Sequence, residues 1–346
     1  MKIFKTTFLT LVLLAGTISY AQEETATEEA AEEASFAISG SIDTYFRSSD
    51  YAPFTSFANI PGFALGMANV VISYEGDKSG FVADFVYGPR GTEAVFNSTG
   101  SSNIVNQLYA YYNVSDKLTL TLGNFNTFLG YEVISPVANF NYSTSYMFSY
   151  GPFSHTGIKA DIALSDDISL MLGVFNQTDY TEGNFTIDEN GVTIFDSYMY
   201  GVQLGLYGQY INLLAGEDYT QLDFTGGLDL SDSFFLGVNA TTTALAGDAG
   251  FSGIALYPQL ALSDSFTVGL RGEIFNETDG GVGAISSSTE DADNTSLTIT
   301  GSYSSGNLTI KPEFRIDTAN AEIYSSSATE MSDNLASFVV AAIYSF

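Results

Sequence analysis

The sequence predicts an all-β fold, a transmembrane antiparallel up-and-down β-barrel of about sixteen strands. Three observations predict it. From Phe36 onward, apolar and polar residues alternate with a period of two almost everywhere. The connections alternate between short turns and long loops, the asymmetry expected of outer-membrane barrels. The chain ends in LASFVVAAIYSF, where Ala336, Phe338, Val340, Ala342, Tyr344 and Phe346 share one face. A membrane-facing last strand with aromatics at Tyr344 and Phe346 reads as an assembly signal for the barrel-assembly machinery.

The elements follow in order. Residues 1–21 have the form of a secretory signal peptide: Lys2 and Lys5, a short apolar run, then Ser19-Tyr20-Ala21 before Gln22. That run is too short to span a membrane as a helix. Residues 22–35, QEETATEEAAEEAS, hold six glutamates among Ala and Thr and cannot bury a core. They read as an acidic disordered tail in the periplasm. The barrel then occupies 36–346.

Its first segment sets the pattern. Phe36, Ile38, Gly40, Ile42, Thr44 and Phe46 fall on one face; Ala37, Ser39, Ser41, Asp43, Tyr45 and Arg47 fall on the other. Strands are predicted near 36–47, 62–75, 79–88, 104–114, 118–126, 156–164, 168–176 and 197–207. They continue near 210–215, 220–230, 234–243, 251–262, 266–275, 295–304, 308–317 and 335–346. The weakest pair is 210–215 with 220–230; without it the count is fourteen. Four of the short turns carry Ser-Asp (NVSDK, ALSDD, DLSDS, ALSDS), whose side chains bond nearby backbone N–H groups. The long connections are 48–61, 89–103, 126–155, 177–196, a brief one near 216–220, 244–250, 276–294 and 318–334.

Composition narrows the function. The chain has 10 basic and 40 acidic residues and a formal charge of −30. Phosphate recognition needs a basic face, so nucleic acid is excluded as a partner. There is no Cys and a single His, which removes disulfides and Cys/His metal sites. With 22 Tyr, 27 Phe and no Trp, the aromatics suit interfacial girdles facing outer-membrane lipid.

Closure sorts the charges. Read by alternation, the lumen is lined by Asp43, Arg47, Asp84, Gln107, Lys159, Asp161, Asp223, Asp229, Arg271, Glu273, Lys311, Glu313, Arg315 and Asp317. Facing lipid at the midplane, charges would cost up to about 2–4 kcal/mol. A sixteen-stranded barrel leaves an aqueous channel, the argument for a pore. Lys311, Glu313, Arg315 and Asp317 alternate in sign along one strand. They read either as a field across the pore or as ion pairs that hold the wall. Acidic lumen positions outnumber basic ones, eight to five, which predicts cation preference.

The loop 126–155 holds Phe128, Tyr131, Phe140, Tyr142, Tyr146, Phe148, Tyr150 and Phe153 but only one charged residue, Glu132. Its length marks it as functional and its aromatics argue against disorder. It is expected to fold into the lumen as a constriction, or else to pack over the barrel mouth or a neighbouring subunit. Ser154-His155 invites a hydrolase reading, but adjacent residues on a strand face opposite ways and cannot share a proton. Asp188-Glu189 and Glu290-Asp291-Asp293 lack the spacing of a calcium loop. No enzyme, metal or cofactor is predicted.

The blocks FALGMANVVISYEGDKSGFVADFVYGPRG (63–91), QLYAYYNVSDKLTLTLGNFNTFLGYEVISP (107–136) and NFNYSTSYMFSYGPFSHTGIKADIALSDDISLMLGVFNQTDY (139–180) resemble the OmpL-like β-barrel porin family. Through the C-terminal half the resemblance is carried mainly by the strand-turn rhythm. It implies a barrel fold, an outer-membrane location and a porin class, and it transfers no substrate-binding residue. The expectation is an outer-membrane porin passing small hydrophilic solutes by diffusion. The alternative is a non-conducting barrel acting through its outer loops in adhesion or assembly. An energised transporter would need about 22 strands and a plug. A homotrimer is one assembly open to such a barrel, and the sequence marks no interface for it.

Overall fold

The computed structural model describes residues 34–55, 57–98, 100–187, 192–282, 284 and 291–346. Residues 1–33, which include the expected signal peptide and most of the acidic segment, and Asp188, Glu189 and Glu290 lie outside the described residues.

The strands are β1 (Ser35–Arg47), β2 (Gly62–Glu75), β3 (Ser79–Tyr87), β4 (Val105–Ser115), β5 (Leu118–Asn126), β6 (Ser154–Ala163), β7 (Ile168–Phe175), β8 (Phe185–Ile187), β9 (Thr193–Phe195) and β10 (Met199–Leu206). They continue as β11 (Gln209–Ala215), β12 (Tyr219–Asp229), β13 (Phe234–Leu245), β14 (Gly250–Ser263), β15 (Phe266–Thr278), β16 (Ala292–Ser305), β17 (Leu308–Ala319), β18 (Tyr324–Ser325), β19 (Met331–Ser332) and β20 (Asn334–Ser345). The pairs β8–β9 and β18–β19 are small hairpins within loops. The other sixteen strands close into one barrel in chain order, with β20 beside β1. Each pairing is antiparallel, as in an up-and-down barrel. The pair expected to be weakest, β11 and β12, is present.

Closure is completed by the last residue. Gly40 N–H donates to Phe346 O at 3.1 Å, and Phe346 N–H donates to Gly40 O at 3.0 Å. Every edge is thereby paired. The short connections are tight: Tyr207 (φ 54°) and Gly208 (φ 79°) form a two-residue turn with both central residues left-handed, the geometry that matches strand twist.

Alternation places the two faces. Leu122, Ile158, Leu297, Ile299, Phe314 and Ile316 are exposed on the outer wall, as are Phe338 and Tyr344 of β20. Their neighbours Thr121, Thr298, Thr300, Arg315 and Ser337 are buried inside. The inside also departs from a polar-in rule. Phe125, Phe175, Leu214, Tyr257, Phe275 and Ile343 face inward and are buried. The reason is that the middle of the barrel is packed rather than water-filled, so inward apolar side chains have a core to join.

Candidate functional site

The residues that fill the lumen come mainly from the segment between β5 and β6, here called the inner loop (127–153). It contains one short helix, α2 (Tyr146–Ser149), capped by Ser145, whose Oγ accepts from Phe148 N–H at 3.1 Å. The rest is irregular backbone, which leaves many main-chain groups in need of partners. The barrel wall supplies them.

Carboxylates of the wall take pairs of consecutive N–H groups. Glu313 accepts from Tyr142 N (2.7 Å) and Ser143 N (3.0 Å). Glu273 accepts from Tyr146 N and Met147 N, both at 2.9 Å. Cations take the carbonyls. Arg271 donates to Ser143 O at 2.6 Å, and Arg315 to Thr144 O at 2.8 Å. Lys311 donates to Pro136 O at 2.9 Å and also to Asn139 O. Asp43 accepts from the Tyr142 hydroxyl. Such charge-assisted bonds are roughly twice as strong as neutral ones.

Three ion pairs among the described residues complete the lining. Arg271 meets Glu132 of the inner loop at 2.7 Å, both buried. Arg315 grips Asp317 on its own strand at 2.7 Å through Nη2, with Nε at 2.9 and 3.0 Å from the two oxygens. Lys159 and Asp161 pair at 2.8 Å in a more open stretch of the wall, where Asp161 is 42% exposed.

Apolar packing follows the same plan. Four clusters of buried apolar residues form inside, and the inner loop contributes to each: Ile134, Phe148 and Phe153 to one, Tyr146 and Met147 to another, Tyr142 to the third and Leu129 to the fourth. Tyr131 stacks on Tyr257 of β14 with ring centroids 4.2 Å apart. The wall makes room through missing side chains. A Cβ on Gly237 would lie 2.4 Å from the Tyr131 hydroxyl, and one on Gly269 would lie 2.4 Å from the Phe140 ring. Every barrel strand has at least one buried inward residue, so part of the inner wall is covered on each strand.

Two neighbouring loops lie against the inner loop. In 48–61, Thr55 O accepts from the Thr144 hydroxyl at 2.6 Å, and Arg47 donates to Ala58 O at 2.8 Å and Tyr51 O at 3.0 Å. In 88–104, the short helix α1 (Pro89–Ala94) carries Arg90, which donates to Ile134 O and Tyr142 O. Its guanidinium lies 4.2 Å from the Phe57 ring centroid and 5.3 Å from that of Tyr142.

The remaining expected lining residues fall as follows. Asp84 accepts from Asn106 at 2.7 Å and from Asn69 at 3.4 Å. A register shift at Asp84 places Asn106 in the buried position and leaves Gln107 half-buried, bonded to Asn126 N. Asp223 accepts from Asn212 (2.8 Å), Asn239 (2.6 Å) and Gly130 N (3.0 Å). Asp229 is exposed at the short-turn rim, outside the packed lumen, because the barrel ends there. Phe140, Phe128, Tyr131 and Tyr150 are half-buried; Glu132, Tyr142, Tyr146, Phe148 and Phe153 are buried.

Several contributors have no counterpart in the sequence reading: Arg90, Asn106, Asp179 and Glu277. Asp179 accepts from Phe153 N (2.6 Å) and Ser154 N (2.9 Å), and Glu277 accepts from Val282 N and Ala284 N. Burial of its carboxyl raises the Asp179 pKa to about 6, against those two hydrogen bonds. His155 is fully buried between Phe128 and Phe175, and its Nε2 lies 2.9 Å from the Thr127 hydroxyl rather than that of Ser154. This is the setting of a packed core histidine.

Comparison with known proteins bears on class. No curated protein matches the sequence. Among solved structures, the anion-selective porin of Comamonas acidovorans aligns with a TM-score of 0.61 at 10% identity, over 91% of this chain and 100% of that one. The outer-membrane channel DcaP of Acinetobacter baumannii aligns at 0.57 and 12%, over 93% and 99%. OmpT of Vibrio cholerae, in its trimer form, aligns at 0.55 and 11%, over 90% and 99%. At these identities the likeness is one of fold. A family model described as "Putative beta-barrel porin-2, OmpL-like" matches residues 35–346, from the first barrel strand to the terminal Phe. The chain therefore belongs to the OmpL-like β-barrel porin family.

Proposed function

We propose that this protein is a bacterial outer-membrane channel for small hydrophilic solutes, passive and cation-preferring, in which the inner loop governs the passage. Family membership supports the channel. The charge of the long-loop rim supports the preference. Arg90 is the one basic residue in the loops at that end, and it is 2% exposed. Glu182, Glu217, Asp218, Asp248, Asp291 and Glu330 of the same loops are exposed. A rim of one sign concentrates counter-ions at the mouth. On this reading the long loops face outward, and the short turns and the N-terminal tail face the periplasm. Phe346 and Tyr344 serve as the signal read by the barrel-assembly machinery, and a homotrimer is the assembly expected in the membrane.

The filled lumen favours a second reading, a non-conducting barrel that acts through its outer loops. Conductance separates the two. Purified barrel in a planar bilayer, held in a KCl gradient, is expected to give discrete steps with a cation-selective reversal potential. Anion selectivity would refute the preference. Silence from correctly folded protein would refute the channel and establish the second reading.

A further inference from the structure

The inner loop is not held equally on all sides. Its clamps gather on β15, β16, β17 and β1: Arg271, Glu273, Thr300, Lys311, Glu313, Arg315 and Asp43. Toward β10–β13, two hydrogen bonds among the described residues join its main chain to the wall. Gln203 Nε2 donates to Phe128 O at 3.1 Å, and Gly130 N donates to Asp223 at 3.0 Å. Both lie near the start of the loop. Between the loop and this wall is a cavity of about 10 Å³, room for about one water, bordered by Gly130 and Gly151 of the loop and by Gln221, Asp223, Asn239 and Thr241 of β12 and β13.

The chemistry of that wall also differs. Gln221 Nε2 donates to the Thr241 hydroxyl at 2.9 Å, and Tyr219 donates to Gln221 at 2.6 Å. Asp223 is held by two asparagines, one backbone amide and the Thr241 hydroxyl, all neutral. Glu132, Asp317 and Asp161 each sit on a cation at 2.7 to 2.8 Å. No cation is among the hydrogen-bond partners of Asp223, and it borders this gap between loop and wall.

We propose that the solute path runs between the inner loop and the β12–β13 wall, with Asp223 as its selectivity-determining carboxylate. This rests on the channel reading above and names its route and solute class. Amides, hydroxyls and one carboxylate would pass cations and uncharged polyhydroxy solutes and would turn anions away. The path widens when the loop leans toward its clamped side, where hydrogen bonds are dense.

The chain has no cysteine, so single cysteines report directly. Thr241→Cys faces the proposed path, and Thr298→Cys lies on the clamped side, where the native Thr298 hydroxyl accepts from Arg271 Nη2 at 3.2 Å. Folded barrels in liposomes, treated with a cationic methanethiosulfonate, are expected to label at Thr241→Cys and stay protected at Thr298→Cys, as read by mass. In bilayers the reagent should block Thr241→Cys only. Asp223→Asn, isosteric and still able to accept from Gly130, should lower the cation-to-anion permeability ratio roughly 30-fold, since a unit charge about 4 Å from an ion in a water-like dielectric favours a cation and disfavours an anion about fivefold each. Asp264→Asn, in the exposed turn between β14 and β15 and away from the gap, should leave it unchanged. Labelling at Thr298→Cys with Thr241→Cys inert, or an unchanged ratio in Asp223→Asn, overturns the path. Labelling proceeds whether or not the barrel conducts, so labelling at Thr241→Cys without conductance overturns the channel reading instead.

Discussion

Glu313→Gln tests the main-chain clamps directly. In the native protein the carboxylate accepts three bonds: Tyr142 N at 2.7 Å, Ser143 N at 3.0 Å and the Thr300 hydroxyl at 2.8 Å. Glutamine keeps the shape and one oxygen but puts an NH₂ where the other oxygen was. One of the two amides then faces a donor. A buried unsatisfied group costs about 1–3 kcal/mol, and the surviving bonds weaken from charge-assisted to neutral, about 1 kcal/mol more. The sum is about 2–4 kcal/mol against the seated loop. At about 1.4 kcal/mol per decade, that is roughly a 30- to 1000-fold increase in local opening. Hydrogen exchange followed by mass spectrometry reads this equilibrium. Peptides spanning 139–148 should lose protection by that factor, while the β4–β5 hairpin should exchange at its native rate. Glu273→Gln should act in the same way on Tyr146 and Met147. Unchanged protection at 139–148 in both variants would refute the clamp argument, since no other change would leave those amides bonded.

Gly269→Val should press on the Phe140 ring, cost about 1–3 kcal/mol of overpacking and lower the urea midpoint in detergent micelles; an unchanged midpoint would mean that the ring has free space. Asp179 titrates from 3.8 up to about 6 in the folded state, so the folded chain holds a proton that the unfolded chain has released. Stability is therefore expected to fall as pH rises from about 4 to about 6 and to stay low above that. Asp179→Asn keeps an acceptor for Phe153 N and Ser154 N, tolerates the left-handed backbone (φ 68°), and should remove the slope in the thermal gel-mobility shift. Deleting Phe346 removes both main-chain bonds to Gly40 at the seam and should cut the yield of heat-modifiable barrel in cells; an undiminished yield would deny the terminal residue its part in closure.

The barrel was legible because a wall with two different solvents writes a period of two into the chain. β1 shows this from Phe36 to Arg47, and the short β11–β12 pair, with turn and alternation both faint, still forms where the pattern placed it. The inner loop was legible through an imbalance, eight aromatics to one charge in 126–155, which solvent would not support. Its partners were not. A hydrogen bond from Glu313 to a backbone amide depends on where the amide lies and leaves no mark on residue type. Inward Phe175, Tyr257 and Phe275 contradict a watery lumen, and only a packed interior explains them. A signal was present in Gly201, Gly237, Gly253 and Gly269, whose missing side chains leave space for Phe128, Tyr131, Met147 and Phe140.

The alternating ladder on β17 admits a physical account that neither a transverse field nor simple ion pairing supplies. Irregular backbone presents donors and acceptors in alternation, and a strand carrying Lys311, Glu313, Arg315 and Asp317 on one face presents acceptors and donors in alternation back to it. Three of the four are bonded to inner-loop main chain, and Asp317 orients the third, Arg315. Charges engaged in this way are buried beneath the loop, away from a passing ion. They are poor instruments of ion selection, however many of them face inward. On the proposed path, selection then falls to the carboxylates of the long-loop rim and to Asp223, which borders the gap although it also accepts from Gly130 N. Counting inward acids against bases, eight to five, points to cations for a reason the geometry does not support. The proposed preference rests instead on the place of Asp223 beside the gap and on an outer rim without an exposed base.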